Sequence, residues 1–373
     1  VTIVAHDIGP VGGMERVLAE LVLGLRALGH RVTVVARTCE LPASAGVDFR
    51  RVRGPSRPFL LAYPWFMLAG SLAVWRWRRG VVQITGAIVL NKADVVAVHY
   101  CHHAGPSTPS RSTRLFRAHI KVAGLASRLG ERLCFRINRT ATIVCVSEGV
   151  AEETREHFPQ LADRVLTIHN GVDTERFAPG LHREQASAMR AALGIAEERL
   201  VALFVGGEWE RKGLRPAIEA LASAPGWNLL VAGSGDERRL RELAESLRLD
   251  GAVHWLGLSK DVGPLYELAD AFVLPTSYET FSLVTFEAAA SGLPILVTPV
   301  NGVRELIEDG ENGFMITREP QKIARRLDQL QADPALRVRL GQAARQSTLR
   351  FGWTRMVAKH VELYERLAGE KHS

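Results

Sequence analysis

Glu279 and Glu287 stand eight positions apart in the stretch YETFSLVTFEAAASGLPIL, and nearly everything around them is apolar. A carboxylate in such surroundings is costly unless it is paired or holds something. Carboxylates accept hydrogen bonds from neighbouring hydroxyls, and doubly wound folds use one to hold a ribose diol. AFVLPT, just before the pair, reads as a strand, and residues 281–291 read as a helix. Glu279 then falls at or just before the helix start, and Glu287 lies about two turns further on. The backbone N–H groups of Phe281, Ser282 and Leu283 have no carbonyl one turn earlier to bond. They form an anion site between the two carboxylates. The competing reading is a capping glutamate followed by a buried structural one.

Other residues suit the same chemistry. FVGGEWERKGLRPAIEAL has a strand ending at Gly206-Gly207, with Arg211-Lys212 placed before a helix. Cations there oppose the helix dipole, which points to a bound anion such as a diphosphate. Arginine would supply a fork of donors and lysine a point charge. The alternative is a solvated helix start. VAGSGDE, containing Gly233, is a second glycine loop after a strand, suited to close approach by a base or ribose. HDIGPVGGMER, with Gly12 and Gly13, is a strand-to-helix turn whose N–H groups can face an anion. It lacks the GxGxxG dinucleotide fingerprint. His99 ends the strand-like VVAV, with His102 and His103 close behind. A histidine there can bond a hydroxyl-rich ligand or exchange protons. No Cys/His spacing completes a zinc site, so no metal is expected.

These residues need elements to position them. In the first half, strands are expected at 2–5, 31–36, 81–84, 95–98, 143–146 and 165–168. GGMERVLAELVLGLRALGH is a helix, with Leu18, Leu21, Val22, Leu25 and Leu28 at helical spacing and Gly29 at its end. The second half repeats the rhythm with LVALFVG, NLLVAG, VHWLG, AFVLPT and PILVTP. Strands alternating with helices imply an α/β fold with doubly wound parallel sheets. Two such halves joined near HNGVDTERFAPG make two Rossmann-like domains facing a cleft, with ligands beyond the carboxyl ends of the strands. The expected domains are 1–172, joined by 351–373, and 173–350.

Residues 1–170 carry 22 Lys and Arg against 12 Asp and Glu, a balance of +10, whereas 171–373 carry 25 against 28, or −3. The basic half calls for an anionic surface. Residues 111–139 hold eight Lys/Arg interleaved with Leu, Phe, Ile and Val, and one acid, Glu131. That pattern suits an anionic membrane face, or else a solvated basic face. No nucleic-acid motif accompanies it, so nucleic acid is not an expected partner. Residues 59–75 form an almost wholly apolar run of 17 residues. It is shorter than the roughly 20 residues of a spanning helix and contains Pro64, which favours a buried or interfacial domain helix, or a membrane-surface helix. Cys39, Cys101, Cys134 and Cys145 are scattered, which reads as reduced thiols. VTIVAH at the start lacks the features of a secretory signal. A cytoplasmic protein is expected, with the inner face of the plasma membrane as its site of peripheral attachment.

The combined pattern resembles the family-4 retaining glycosyltransferases of the GT-B fold, over nearly the whole chain. The most specific element is E-x7-E, here ETFSLVTFE, followed by AAASGLPILVTPVNGVRELI and DGENGF. GPVGGMER, DVVAVH, VSEGV, NGVDTERF, ERKG and GSGDE follow in family order and spacing. The resemblance implies transfer of a hexose-type sugar from a nucleoside-diphosphate-sugar co-substrate, with retained anomeric configuration and neither metal nor cofactor. It implies that Glu279 contacts the donor sugar and Glu287 the ribose. Arg211 and Lys212 would stabilise the leaving diphosphate, and Phe281 and Ser282 would add backbone donors. His99, matching the histidine of D-x4-H after Asp94, would touch the sugar. Gly12, Gly13, Gly207, Gly233 and Leu283 would line the donor site. Many members carry Gly-Arg where this chain has Gly206-Gly207, and Arg211 stands in for that arginine. In this fold the first domain holds the acceptor, and the final helix crosses back to it. The basic half then implies a carbohydrate or lipid-linked acceptor near a membrane. The alternative functions are a non-catalytic GT-B protein binding sugar nucleotide or membrane, and another GT-B enzyme such as an epimerase or phosphorylase. The base, sugar, linkage and oligomeric state are not fixed by these motifs.

Overall fold

Most of the strands are short runs of β-branched and aliphatic residues, apolar on both faces, as suits parallel strands covered by helices. In the computed structural model, which describes residues 1–105, 114–249, 251–259 and 261–371, the strands are β1 (Thr2–Val4), β2 (Asp7–Ile8), β3 (Thr33–Ala36), β4 (Thr38–Cys39), β5 (Asp48–Arg51), β6 (Val82–Thr85), β7 (Val95–Val98), β8 (Thr142–Cys145) and β9 (Val165–Thr167), then β10 (Leu200–Val205), β11 (Trp227–Ala232), β12 (Val253–Gly257), β13 (Ala271–Leu274), β14 (Ile295–Val297) and β15 (Phe314–Met315). The chain divides into two compact units, Val1–Gly171 with Trp353–Ser373, and Val172–Gly352. Each is built on one parallel sheet, giving the α/β architecture with two Rossmann-like halves.

The first unit's sheet has the order β5-β3-β1-β6-β7-β8-β9, and β2 pairs only with β4. Ile3 sits between Val34 and Gln83 in register. The helix Gly13–Ala27 buries Val17, Leu18, Leu21, Val22 and Leu25. Leu28, expected on that buried face, is instead exposed, because the helix has ended and Gly29 has turned the chain at φ +83°. The helix Trp353–Glu370 belongs to this unit. It crosses the Gly13–Ala27 helix at Gly24, where a Cβ would fall 2.4 Å from Val357. Its inner face is partly polar. Tyr364 donates to Gln83 Oε1 at 2.7 Å, and His360 Nδ1 bonds the Met356 carbonyl at 3.0 Å.

The second unit's sheet has the order β12-β11-β10-β13-β14-β15. Leu203 of β10 lies between Leu230 of β11 and Phe272 of β13. The strand order reverses at β10 and β13, which places the topological switch point between them. Besides the two-residue pair β2 and β4, two strands of the main sheets lie outside the sequence-based set. β5 is DFRR, an edge strand alternating half-buried with exposed side chains, and β15 has only two residues. Neither forms an apolar run.

His360 gives a test of the packing of the returning helix. Burial pushes its imidazole down to about 4, against the opposing hydrogen bond to Met356. The folded chain therefore keeps this ring neutral between about pH 4 and 6.5, while the unfolded chain protonates it. Stability should fall as pH drops through that window, by up to about 1.4 kcal/mol per pH unit for this group. Urea titrations at pH 7 and pH 5 should show a shallower pH dependence for His360→Gln than for the wild type. Equal slopes would remove His360 as the cause.

Candidate functional site

Because the second sheet is parallel, the loops after β10, β11, β13 and β14 leave from one edge. Two of them are short of side chains where they cross. Gly233 has φ +131°, and a Cβ on it would fall 2.0 Å from the Gly206 carbonyl oxygen. Gly206 has φ +146°, and its Cβ would meet Lys212 Cδ at 2.6 Å. Trp209 closes this corner by donating from Nε1 to the Gly206 carbonyl at 2.8 Å. Gly207 differs, since its nearest neighbour to a Cβ is the Ser234 carbonyl at 3.6 Å, an ordinary contact.

Arg211 and Lys212 precede the helix Leu214–Leu221 as expected, but they are themselves helical. They end a separate one-turn helix, Trp209–Lys212, and Gly213 at φ +81° then starts the next, Leu214–Leu221. Basic residues suit the last turn of a helix, so the one-turn helix offsets the opposed dipole of the helix that follows. Tertiary pairing places the two cations. Glu279 Oε1 lies 3.1 Å from Lys212 Nζ, 3.2 Å from Arg211 Nη1 and 3.2 Å from Thr276 Oγ1. Arg211 also forks onto Glu208 Oε2 from Nε and Nη2, at 3.0 and 2.6 Å. Burial works against the Arg211 charge, but Glu279 and Glu208 outweigh it and hold its pKa above the ordinary arginine value. The side chains of Lys212 and Glu279 are only 12% and 11% exposed. All three bonds to Glu279 converge on Oε1, and Oε2 accepts nothing among the described residues. One carboxylate oxygen and two of the three lysine donors are thus open to a polar, anionic ligand.

The helix after Glu279 begins at Leu283, two residues later than expected. Ser282 is its N-cap in the left-handed region, at φ 67°, and its hydroxyl pairs with that of Thr285 at 2.8 Å. Phe281 is buried, stacked on Phe286 at 4.1 Å. Gly302, after β14, passes so close to the Phe281 backbone that a Cβ would sit 2.6 Å from its Cα. Glu287 is 2% exposed, and the Tyr266 hydroxyl donates to its Oε2 at 3.0 Å. It is an enclosed, oriented carboxylate, unlike the more open Glu279.

The remaining candidates belong to the first unit. His99 ends β7 beside a cavity of about 230 Å³ that also takes in His6, Tyr63 and Glu131. Burial, with a smaller push from His360, lowers its pKa to about 4, so its ring is neutral at physiological pH. His103 Nδ1 pairs with Glu131 Oε2 at 2.6 Å, and the His102 N–H donates to Oε1 of the same glutamate at 3.1 Å. Gly12 is the N-cap of the Gly13–Ala27 helix at φ +95°, and both Gly12 and Gly13 are exposed. Among the described residues, no group of three or more His, Cys, Asp or Glu is placed to hold a metal ion.

Two family models match the chain in succession, "Glycosyltransferase Family 4" over residues 11–176 and "Glycosyl transferases group 1" over 185–347. The chain belongs to the family-4 glycosyltransferases. It is 27% identical to an uncharacterized glycosyltransferase of Methanocaldococcus jannaschii, over 95% of this chain and 94% of that one. It is 33% identical to the lipopolysaccharide core biosynthesis glycosyltransferase LpsE of Rhizobium meliloti, over 60% of this chain and 64% of the relative. The fold is that of WaaG, a glycosyltransferase involved in lipopolysaccharide biosynthesis, with a TM-score of 0.81 and 22% identity, covering 97% of this chain and 99% of WaaG. This GT-B glycosyltransferase acts on sugar-nucleotide donors.

Sequence reasoning about the glycosyltransferase missed Thr276, Glu208 and Tyr266. Thr276 and Glu208 flank the motif residues, so their polarity beside a strand end was the available signal. Tyr266 lies on another helix, Gly263–Leu268, and nothing local marks it. The glycine between the two halves of the cation turn provides a test. A Cβ on Gly213 would fall 2.0 Å from the Pro275 carbonyl oxygen at a φ that disfavours it. Gly213→Ala should therefore cost about 2 kcal/mol or more by pushing the turn away from the β13 exit. Urea denaturation of the second unit reads this, and a change within about 0.5 kcal/mol would show the contact to be slack.

Proposed function

We propose that this glycosyltransferase moves a hexose-type sugar from a nucleoside-diphosphate-sugar to an acceptor hydroxyl, with retention of anomeric configuration and without a bound metal ion. The observation that carries the reading is the convergence of Lys212, Arg211 and Thr276 on a single oxygen of Glu279 at the switch point of the sheet. In this reading the free Oε2 accepts from the donor sugar's hydroxyls. Lys212 and Arg211 stabilise the charge that develops on the diphosphate as its bond to the anomeric carbon breaks. The acceptor oxygen bonds that carbon on the same face, and its proton passes to the departing phosphate oxygen. Glu287, oriented by Tyr266, takes the ribose. The N–H groups at Ser282 and Leu283 face the phosphates, and neutral His99 contacts the sugar.

The acceptor is a lipid-linked or cell-envelope glycan. The relative named for lipopolysaccharide core biosynthesis supports this class, as does the basic first half of the chain. We place the protein in the cytoplasm, in keeping with its four free cysteines.

Thermal shifts with UDP, GDP, ADP, TDP and CMP, each with and without EDTA, test donor binding. One nucleotide at about 100 times its dissociation constant should add about 2.7 kcal/mol, undiminished by EDTA, and Lys212→Met should abolish the shift. Loss of the shift in EDTA would overturn the metal-free reading. No shift with any nucleotide would favour a non-catalytic binding protein. With the donor class known, Glu279→Gln should lower transfer by at least about 100-fold while the nucleotide still binds. Proton NMR of the product reads the anomeric configuration, and an inverted linkage would refute retention.

A further inference from the structure

The helix Phe59–Trp77 lies on the first unit by one face only. Ala62, Phe66, Gly70 and Val74, four residues apart, are buried, and Phe66 meets the His6 ring edge-on at 4.5 Å. The opposite face carries Leu61, Trp65, Leu68, Leu72 and Trp75, each between 51% and 69% exposed. Their spacing of four and three residues sets them in one continuous stripe, and an exposed apolar patch of this kind marks an interaction surface. By length and composition alone the helix could cross a membrane. Its buried face ties it to the unit's core instead.

A second helix, Arg114–Ile137, packs beside it. Tyr63 of the first helix rests on Gly130 of the second, where a Cβ would fall 2.1 Å from the tyrosine oxygen. Val122, Leu125, Leu129 and Leu133 are 42–59% exposed, and Lys121, Arg128, Arg132 and Arg136 are exposed among them. The segment's one acid, Glu131, is buried and turned inward to His103. Residues 111–113, and the side chains of 114–119, lie outside the described residues and play no part here. Around the first helix, residues 49–93 hold eight Lys/Arg and no Asp or Glu, with Arg76, Arg78 and Arg79 exposed at its carboxyl end. The two helices thus combine a leucine and tryptophan stripe with cations and no outward acid.

We propose that the first unit docks on an anionic phospholipid surface through these paired helices. The stripe of Phe59–Trp77 enters the headgroup boundary, its tryptophans at the depth their amphipathic rings prefer. The Lys and Arg side chains of both helices meet lipid phosphates. No donor-site residue takes part in this docking, which stands or falls apart from the proposed reaction.

Vesicle flotation of the full chain tests it, with phosphatidylcholine alone and with phosphatidylcholine mixed with phosphatidylglycerol. The protein should float with the mixed vesicles and be released as salt rises. Leu68→Glu with Leu72→Glu should cut the bound fraction by about tenfold or more, with an unchanged circular-dichroism melt. Arg128→Gln with Arg132→Gln should weaken binding to the mixed vesicles. Brominated lipid should quench tryptophan fluorescence, and Trp65→Phe with Trp75→Phe should remove that quenching without adding charge, so the test survives a glutamate variant that fails to fold. Equal flotation on both vesicles, or none on either, would overturn the proposal. So would light scattering that shows a dimer dissolved by Leu68→Glu, which would assign the stripe to a second copy of the chain.

Discussion

All strands of the second sheet run in one direction, and the site follows from that constraint. Each crossover must return over a face of the sheet before the next strand begins, so the loops that matter leave from the same edge. β10 and β13 are neighbours at the point where the order reverses. Their exits bring Arg211 and Glu279, 68 residues apart in sequence, into one ion pair. The approach is tight enough that Gly206, Gly213, Gly233 and Gly302 each meet a neighbour where a side chain would begin. Those glycines serve the convergence of the loops as well as their own local turns.

The same closeness sets the electrostatics. A nearly buried lysine and glutamate are costly unless each compensates the other. Here Lys212 and Arg211 are balanced by Glu279 and Glu208, four charges that sum to zero. The arrangement holds two cations at a strand edge without an unpaired buried charge, and concentrates the demand on one carboxylate oxygen. Thr276 adds a neutral donor to that oxygen and bonds the Tyr278 carbonyl at 3.1 Å, fixing the loop that carries Glu279.

Much of this was legible in the sequence. Buried parallel strands announce themselves as apolar runs, and the two-carboxylate spacing with its glycine loops pointed to a polar, hydroxyl-bearing ligand. What stayed hidden was tertiary. β5 escaped because an edge strand of the type DFRR has no apolar run. The turn holding Arg211 and Lys212 escaped because four residues are too few to show a period. The tie between Glu287 and Tyr266 spans two helices. The face of Phe59–Trp77 could not be read because a helix apolar all round names no buried side. Only the positions of Phe66 and Gly70 against the core reveal which side remains outside.

That exposed stripe also governs how the protein behaves as a colloid. Its leucines and tryptophans sit beside arginines whose mutual repulsion keeps neighbouring molecules apart in dilute buffer. Added salt screens that repulsion, while salts excluded from protein surfaces strengthen the attraction between apolar faces. Ionic strength therefore shifts the balance on this face from charge repulsion towards hydrophobic cohesion.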